Sequence, residues 1–312
     1  MSADLKIVFL GTPDFAAASL KAILDAKFNV VAVVTVADKP QGRGKKTGMS
    51  AVKELALSHK LPVLQPSNLK SEDFRAQLKA FQADIQVVVA FRMLPESVWS
   101  MPRLGTFNLH ASLLPDYRGA APINWAIING ETKTGVTTFF LRHEIDTGEI
   151  ILQEEVEIMP SDDFGSLYHS LMEKGSDLVV RTLIAVQNKQ VKTTPQQDVS
   201  SGKLAPKIFK PDCEIDWNVS VQEAHNFIRG LSPVPCAWTK LDGKVFKVLK
   251  SRMTAEKSTA KPGTFILKDK KTLHVACADY MLSLTEVQLE GKKRMNIADF
   301  LAGYQFKSEK EK

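Results

Sequence analysis

The segment Gly105–Gly148 carries the residues best suited to chemistry. Asn108 and His110 are two positions apart at the end of a strand-like run, so both side chains point to one face of the predicted strand. Asp146 follows in an Asp-Thr-Gly turn that could return a carboxylate to the same sheet edge. An amide donor, an imidazole and a carboxylate would then form an oxyanion-stabilising and proton-handling set, with no serine or cysteine placed as a nucleophile. In the alternative interpretation, Asn108 caps a loop and His110 is a hydrogen-bonded core histidine.

Other motifs argue against several kinds of chemistry. The turn Gly11–Pro13 keeps one of the three glycines of a dinucleotide fingerprint, which argues against hydride transfer. The stretch from Lys39 to Thr47 has lysine where a phosphate-binding P-loop needs its first glycine. The triplet at Asp146 occurs once, whereas an aspartic protease needs two carboxylates that share a proton. The three cysteines form no Cys-x-x-Cys pair, so they predict neither a disulfide framework nor a zinc site.

The stretch Lys39–Lys46 is a second candidate site, because it combines positive charge with glycine and proline. A flexible loop of this composition can reach anionic groups by its length and charge rather than by fixed backbone geometry. In the alternative interpretation, the stretch is merely a solvated loop. The four cations of the stretch are Lys39, Arg43, Lys45 and Lys46.

The net charge of +6 is unevenly distributed along the chain. Residues 1–205 hold 22 basic and 22 acidic side chains, whereas residues 206–312 hold 19 basic and 13 acidic ones. This excess predicts an anionic partner for the C-terminal part, although a solvated basic face would have the same composition. The apolar runs fall short of the roughly 18 residues that a membrane span needs, and no export signal is visible. We expect a cytoplasmic protein and a monomer.

Periodicity places the candidate residues in a two-domain architecture. Strand-like and helical segments alternate from residue 5 to residue 110 and predict a mostly parallel, Rossmann-like doubly wound α/β sheet. In such sheets ligands bind beyond the carboxyl ends of the strands, where Asn108 and His110 fall. A polar stretch and then short strands with an Asp242-Gly243 turn predict a linker and a small β-barrel. The predicted boundaries are 1–188 for the catalytic domain, 189–207 for the linker and 208–312 for the barrel.

The run from Asn108 to Ile127, together with Thr134–Thr137 and Asp146–Glu149, closely resembles the formyltransferases that use 10-formyltetrahydrofolate. The resemblance implies a formyl transfer without a metal, in which Asn108, His110 and Asp146 are the catalytic residues. It also implies that the folate co-substrate contacts the short segment after the strand. The residues implied for that contact are Ser112, Leu113, Leu114 and Pro115.

Segments outside this region resemble a narrower group within that family, the members that formylate methionyl initiator tRNA. These segments are Phe9–Phe15, Lys39–Lys46, Ile215–Trp217, Ile228–Gly230 and Ala237–Thr239. The resemblance implies direct attack of the methionyl amine on the formyl carbon, and an OB-like C-terminal domain that binds tRNA. The implied tRNA contacts are Lys39, Arg43, Lys45, Lys46 and Lys207.

Three residues depart from the family pattern. Phe91 and Arg92 stand where the family usually has Tyr-Gly, and Cys236 stands where glycine is usual. The departures affect the expected wall of the folate pocket rather than the three catalytic positions. Two other functions stay open at this point: a formyltransferase that acts on an amino-sugar nucleotide, and a non-enzymatic tRNA-binding protein.

Overall fold

The computed structural model describes residues 5–41, 46–144, 146–196 and 203–305, with the backbone alone for 39–41 and 46–47. The chain forms two compact units. The first unit comprises Met1–Gly119, Thr134–Val156 and His169–Leu204, and the second comprises Ala120–Lys133, Glu157–Tyr168 and Ala205–Lys312. None of the helices in the described ranges has both the length and the hydropathy of a membrane span.

The described residues contain the following elements in chain order. The strands are β1 (Lys6–Gly11), β2 (Asn29–Val34), β3 (Lys39–Gln41), β4 (Lys46–Gly48), β5 (Val63–Leu64), β6 (Ile85–Val89), β7 (Thr106–His110), β8 (Arg118–Gly119), β9 (Lys133–Phe140), β10 (Ile150–Glu157), β11 (Leu204–Ala205), β12 (Ala237–Leu241), β13 (Lys244–Lys257), β14 (Phe265–Asp269), β15 (Thr272–Ala276), β16 (Tyr280–Leu289) and β17 (Met295–Asn296). The helices are α1 (Asp14–Asp25), α2 (Ala51–Ser58), α3 (Glu72–Ala80), α4 (Glu96–Trp99), α5 (Pro122–Ile128), α6 (Phe164–Gln187), α7 (Val221–Gly230) and α8 (Ile297–Gly303), with a 3-10 turn at Pro211–Cys213.

A seven-stranded sheet forms the core of the first unit, in the order β10-β9-β7-β6-β1-β2-β5. The five strands from β5 to β7 run parallel to their neighbours, and β9 runs antiparallel to β7. The central strands β1 and β6 are almost completely buried, which explains their nearly continuous apolar sequence. The predicted mostly parallel, Rossmann-like sheet is confirmed.

Helix α6 approaches β7 closely, and this contact sets the direction of the strand's side chains. A Cβ atom on Gly175 of α6 would lie 2.8 Å from Leu109 Cδ2, so only glycine leaves room for Leu109. Leu109 therefore packs towards α6. Because successive side chains of a strand point to opposite faces, Asn108 and His110 point to the other face of the sheet.

An antiparallel sheet forms the core of the second unit, in the order β12-β13-β16-β15-β14, with β17 beside β16. Helix α7 begins with a capping box, in which Ser220 and Glu223 each bind the other's backbone N–H. Its apolar residues Val221, Ala224 and Ile228 belong to the same buried core as the sheet. The fold class predicted for the C-terminal part is thereby confirmed as antiparallel β.

Helix α5 belongs to the second unit, although it lies between strands of the first unit in the sequence. Asn124 Nδ2 donates to the carbonyl oxygen of Gly230 at 2.8 Å. A Cβ atom on Gly230 would lie 2.7 Å from Ile128 Cγ1, so this glycine lets α5 pack tightly on α7. Two segments of the predicted domain 1–188 therefore belong to the second unit, namely Ala120–Lys133 and Glu157–Tyr168. The two units follow the packing of the chain, whereas the predicted boundaries follow its order.

The three cysteines, Cys213, Cys236 and Cys277, are free and buried. Burial raises the pKa of the Cys236 thiol to about 11 and that of the Cys277 thiol to about 12. Both side chains are therefore neutral thiols near pH 7. They fill the core as small apolar groups.

Candidate active site

His110 and Asp146 come together at the carboxyl end of β7. His110 Nδ1 lies 3.8 Å from Asp146 Oδ2, and the two side chains are only 7% and 14% exposed. His110 Nε2 lies 2.8 Å from the carbonyl oxygen of Tyr117. A carbonyl oxygen can only accept, so Nε2 carries a proton and donates it. The nitrogen that remains for chemistry is therefore Nδ1, and it faces the carboxylate.

The backbone around Asp146 is held in an unusual conformation. Asp146 has φ +55°, in the left-handed region that few non-glycine residues adopt. Its Oδ2 accepts a hydrogen bond from the backbone N–H of Gly119 at 3.0 Å. A Cβ atom on Gly148 would lie 1.5 Å from the carbonyl oxygen of Phe140, so the turn requires glycine at that position. The Asp-Thr-Gly triplet thus serves to aim one carboxylate.

Asn108 lies in β7, an internal strand of the sheet, two residues before His110 at the end of that strand. Its backbone pairs with Val88 of β6 on one side and Phe139 of β9 on the other, and its side chain is half-buried. Within the described part of the chain, the Asn108 side chain has no hydrogen-bond partner. A half-buried amide without a protein partner can donate to a ligand oxygen. This matches the predicted oxyanion donor, and the role itself stays a prediction.

The segment predicted to contact folate forms a tightly bonded turn. Ser112 is fully buried; its Oγ donates to the carbonyl oxygen of Asp116 at 2.6 Å, and its own carbonyl oxygen accepts from Thr137 Oγ1. Leu114 is also buried, and its backbone groups bind Thr137 and Gln153. Ser112 and Leu114 therefore build the turn.

Leu113 and Pro115, the other two residues predicted to contact folate, are half-buried. Leu113 packs against Gly135, where a Cβ atom would lie 2.5 Å from Leu113 Cδ2. Because their side chains keep some exposed surface, Leu113 and Pro115 are the members of the segment free to meet a ligand. Folate contact by all four residues stays a prediction.

The cationic loop predicted to contact tRNA begins and ends in a paired ribbon. β3 pairs antiparallel with β4, so that Lys39 lies opposite Gly48 and Gln41 opposite Lys46. The prediction of a flexible loop across the whole stretch is therefore wrong for its two ends, because their backbones pair with each other. Arg43 and Lys45 lie outside the described residues.

The residues just before the loop are firmly bonded. Asp38 is bound by Lys53 of α2 and by Gln65 Nε2, the latter at 2.8 Å from Asp38 Oδ1. These two partners lower the pKa of the Asp38 carboxyl below its usual value. Gln65 Nε2 also donates to the carbonyl oxygen of Val36 at 2.7 Å. The members of this hydrogen-bonded group lie on separate elements, so no single stretch of the sequence predicts it.

Lys207, the remaining predicted tRNA contact, belongs to the second unit. Its Nζ lies 5.1 Å from the ring centroid of Phe209, and Phe209 is 57% exposed. A cation beside an exposed aromatic ring suits contact with a phosphate and an unpaired base. Contact with tRNA stays a prediction.

The departure at Phe91 and Arg92 has a structural role in this chain. The Arg92 guanidinium donates to the carbonyl oxygens of Pro66 and Ser67 and lies 5.7 Å from the ring centroid of Phe91. Arg92 thereby ties the segment after β6 to the segment after β5.

Cys236 has φ +79°, which explains why glycine suits that position.

Two residues that the sequence does not predict, Gln196 and Gln153, also support the site. Gln196, in the predicted linker, donates from Nε2 to the carbonyl oxygens of Asp146 and Gly148. Gln153 supports the turn through Leu114. No group of three or more His, Cys, Asp or Glu side chains among the described residues is arranged to hold a metal ion.

Comparisons with known proteins give one consistent picture. Residues 5–183 match the family described as Formyl transferase, and residues 207–305 match Formyl transferase, C-terminal domain. The methionyl-tRNA formyltransferase of Bacteroides fragilis (strain ATCC 25285) is 50% identical over 309 residues, covering 96% of this chain and 95% of the relative. That of Parabacteroides distasonis is 52% identical over 311 residues, covering 96% of each chain.

Similarity to solved structures extends the comparison to the fold. An N-formyltransferase from Helicobacter canadensis, in complex with folinic acid and dTDP-3-aminofucose, superposes with a TM-score of 0.66 at 20% identity. The match covers 93% of this chain and 100% of that one. At this identity the likeness shows a shared fold.

Proposed function

The chain belongs to the formyl transferase family, and on that basis we propose that it transfers the formyl group of 10-formyltetrahydrofolate to the amino group of methionyl initiator tRNA. It is a formyl-transferring enzyme. The acceptor is inferred from the curated relatives that share about half of their residues with this chain along nearly its whole length. That whole-length identity is the observation that carries the proposal, because the sugar-nucleotide complex comes from a far less similar chain.

The reaction is an acyl transfer between two nitrogen atoms. The methionyl amine attacks the formyl carbon and forms a new C–N bond, and the bond between that carbon and N10 of the folate breaks. The amine loses one proton and N10 gains one. An α-amino group has a reference pKa of about 8, so part of it is neutral near pH 7 and can attack without a strong base.

Asn108 stabilises the developing negative charge, and His110 holds the proton that the amine releases. When the amine adds, the formyl oxygen becomes an oxyanion, and the Asn108 amide, which has no hydrogen-bond partner among the described residues, is the group that donates to it. His110 Nε2 is occupied by the Tyr117 carbonyl, so the proton from the amine is held at Nδ1. Asp146, 3.8 Å from Nδ1, stabilises the resulting imidazolium, directly or through a water molecule.

The substrates would meet different surfaces of the protein. The folate is proposed to bind beside Leu113 and Pro115. The tRNA is proposed to contact the cationic loop at Lys39–Lys46 and the basic second unit at Lys207, through its phosphates. A protein that works on charged tRNA is expected in the cytoplasm, and we propose that it acts as a monomer.

One assay separates the possible acceptors. The purified protein is incubated with 10-formyltetrahydrofolate and, in separate reactions, charged initiator tRNA, charged elongator tRNA or an amino-sugar nucleotide. We expect formylation of methionyl initiator tRNA at a rate far above the other two. Formylation of the amino-sugar nucleotide alone would overturn the proposed acceptor, and tRNA binding without formylation of any acceptor would overturn the activity.

A further inference from the structure

Gln196 connects the two parts of the chain that position Asp146. Its Nε2 lies 2.8 Å from the carbonyl oxygen of Asp146 and 2.7 Å from that of Gly148. Its Oε1 accepts from Arg118 Nε at 3.0 Å and from Arg118 Nη2 at 2.6 Å. All donors and acceptors of the side-chain amide are therefore used.

The location of Gln196 is itself fixed by backbone pairing. Two residues earlier, Thr194 exchanges two backbone hydrogen bonds with Ile150 at the start of β10, each 2.9 Å long. This bridge places the segment beside the strand that follows the Asp-Thr-Gly turn. Gln196 lies in the predicted linker 189–207, yet it is bonded within the first unit.

We propose that Gln196 is a positioning residue that holds the Asp146 carboxylate against His110. One side of its amide fixes the main chain at Asp146 and Gly148, where the turn adopts an unfavourable φ. The Oε1 atom of the same amide binds Arg118. Arg118 directly precedes Gly119, and the backbone N–H of Gly119 binds Asp146 Oδ2. The same side chain therefore controls both ends of the contact that aims the carboxylate.

This inference rests on the proposed function, in which Asp146 stabilises the proton on His110. Loss of Gln196 would leave the strained turn free to relax, and a shift of the carboxylate by about 1 Å can cost about 10²-fold in rate. All four hydrogen bonds of the Gln196 amide are made to groups of the protein that hold Asp146, and the proposed substrate contacts lie on other residues. The loss is therefore expected in kcat, with KM for methionyl-tRNA changed by less than about threefold.

Two substitutions and a control test the role of Gln196. Gln196→Ala removes all four hydrogen bonds, whereas Gln196→Glu keeps an acceptor for Arg118 but cannot donate to the two carbonyl oxygens. Both are expected to lower kcat about 10- to 100-fold, because the two donors hold the turn. Gln190→Ala, at an exposed glutamine of the same segment, should leave kcat and KM unchanged.

A double-mutant cycle separates positioning from a general loss of structure. Single-turnover rates are measured for Gln196→Ala, Asp146→Asn and the double variant, together with their thermal unfolding midpoints. If Gln196 acts through Asp146, Gln196→Ala should cost less than about twofold in the Asp146→Asn background. A full additional loss there, or an unchanged kcat in both Gln196 variants, overturns the inference. Failure of the wild-type protein to formylate methionyl-tRNA would instead overturn the proposed function.

Discussion

The Nε2 atom of His110 donates to the carbonyl oxygen of Tyr117 across 2.8 Å, and this bond makes Nδ1 the reactive nitrogen. Tyr117 has φ +60°, in the left-handed region, and its carbonyl oxygen faces the imidazole. In the neutral ring the lone pair of Nδ1 faces Asp146, and two electron-rich groups oppose each other across 3.8 Å. Once Nδ1 takes a proton, the same geometry becomes an ion pair. The pair is therefore more favourable after proton uptake than before it, which is the differential stabilisation that catalysis requires.

Removing the Asn108 donor should slow formylation with little effect on folding. Asn108→Ala is expected to cost about 3 kcal/mol of transition-state stabilisation, roughly 10²-fold in kcat, by analogy with other oxyanion sites. Asn108→Asp has nearly the same shape but, when ionised, cannot donate, so it should lose at least as much. Steady-state formylation kinetics measure both, with the exposed Asn188→Ala as control. A rate within a few-fold of wild type for Asn108→Ala would contradict the donor role.

Neutralising Asp146 should lower the rate and change its dependence on pH. Asp146→Asn keeps the size of the side chain and an oxygen that can accept from Gly119 N–H, so the fold should persist. The neutral amide cannot stabilise a proton on Nδ1, and kcat is expected to fall about 10²- to 10⁴-fold. A variant whose profile coincides with that of the wild type would show that Asp146 does not act through His110.

The sequence predicts the catalytic strand but not the groups that hold its side chains. The period of two along β7 places Asn108 and His110 on one face, and the structure agrees. The partner of His110 Nε2 is the backbone carbonyl of Tyr117, a residue in the left-handed region. Such a bond leaves no side-chain signal in the sequence.

The sequence also does not predict that the polar stretch after α6 contacts the turn at Asp146. Gln196 lies 50 positions from Asp146 along the chain, within a segment whose composition is typical of a linker. Helix α5 lies within the first domain predicted from the sequence, but it belongs to the second unit, where its Asn124 binds Gly230. Local periodicity reports which face of an element is apolar, and it carries no information on which distant element covers that face.

His225 should make the protein less stable as the pH falls. It lies on α7 with Nδ1 2.9 Å from Ser251 Oγ, and burial, with a smaller contribution from Arg229, lowers its pKa to about 4. In the unfolded chain the pKa of histidine is about 6.5, so between these values the unfolded state binds more protons than the folded one. The free energy of unfolding should therefore fall between about pH 6.5 and pH 4, by at most about 3 kcal/mol from this residue.

Urea unfolding at several pH values compares the wild type with His225→Gln. The variant lacks the titrating group, so its stability should fall less steeply across that window. His59→Gln, which replaces an exposed histidine at the end of α2, is the matched control and should retain the wild-type slope. Parallel curves for wild type and His225→Gln would show that the buried imidazole does not cause the loss.

Binding of tRNA should weaken steeply as the salt concentration rises. If the cationic loop and the basic second unit neutralise about six phosphates, affinity should fall about 10³-fold between about 50 and 200 mM salt, because each neutralised phosphate releases condensed counterions. Arg43 is expected to contribute most within the loop, since a guanidinium can bind phosphate through two hydrogen bonds and stack on an unpaired base. Arg43→Ala should reduce the slope of log affinity against log salt by about 1. Lys79→Ala removes an exposed cation at the end of α3 and should leave the slope unchanged. Equal slopes for Arg43→Ala and Lys79→Ala would remove Arg43 from the proposed tRNA contacts.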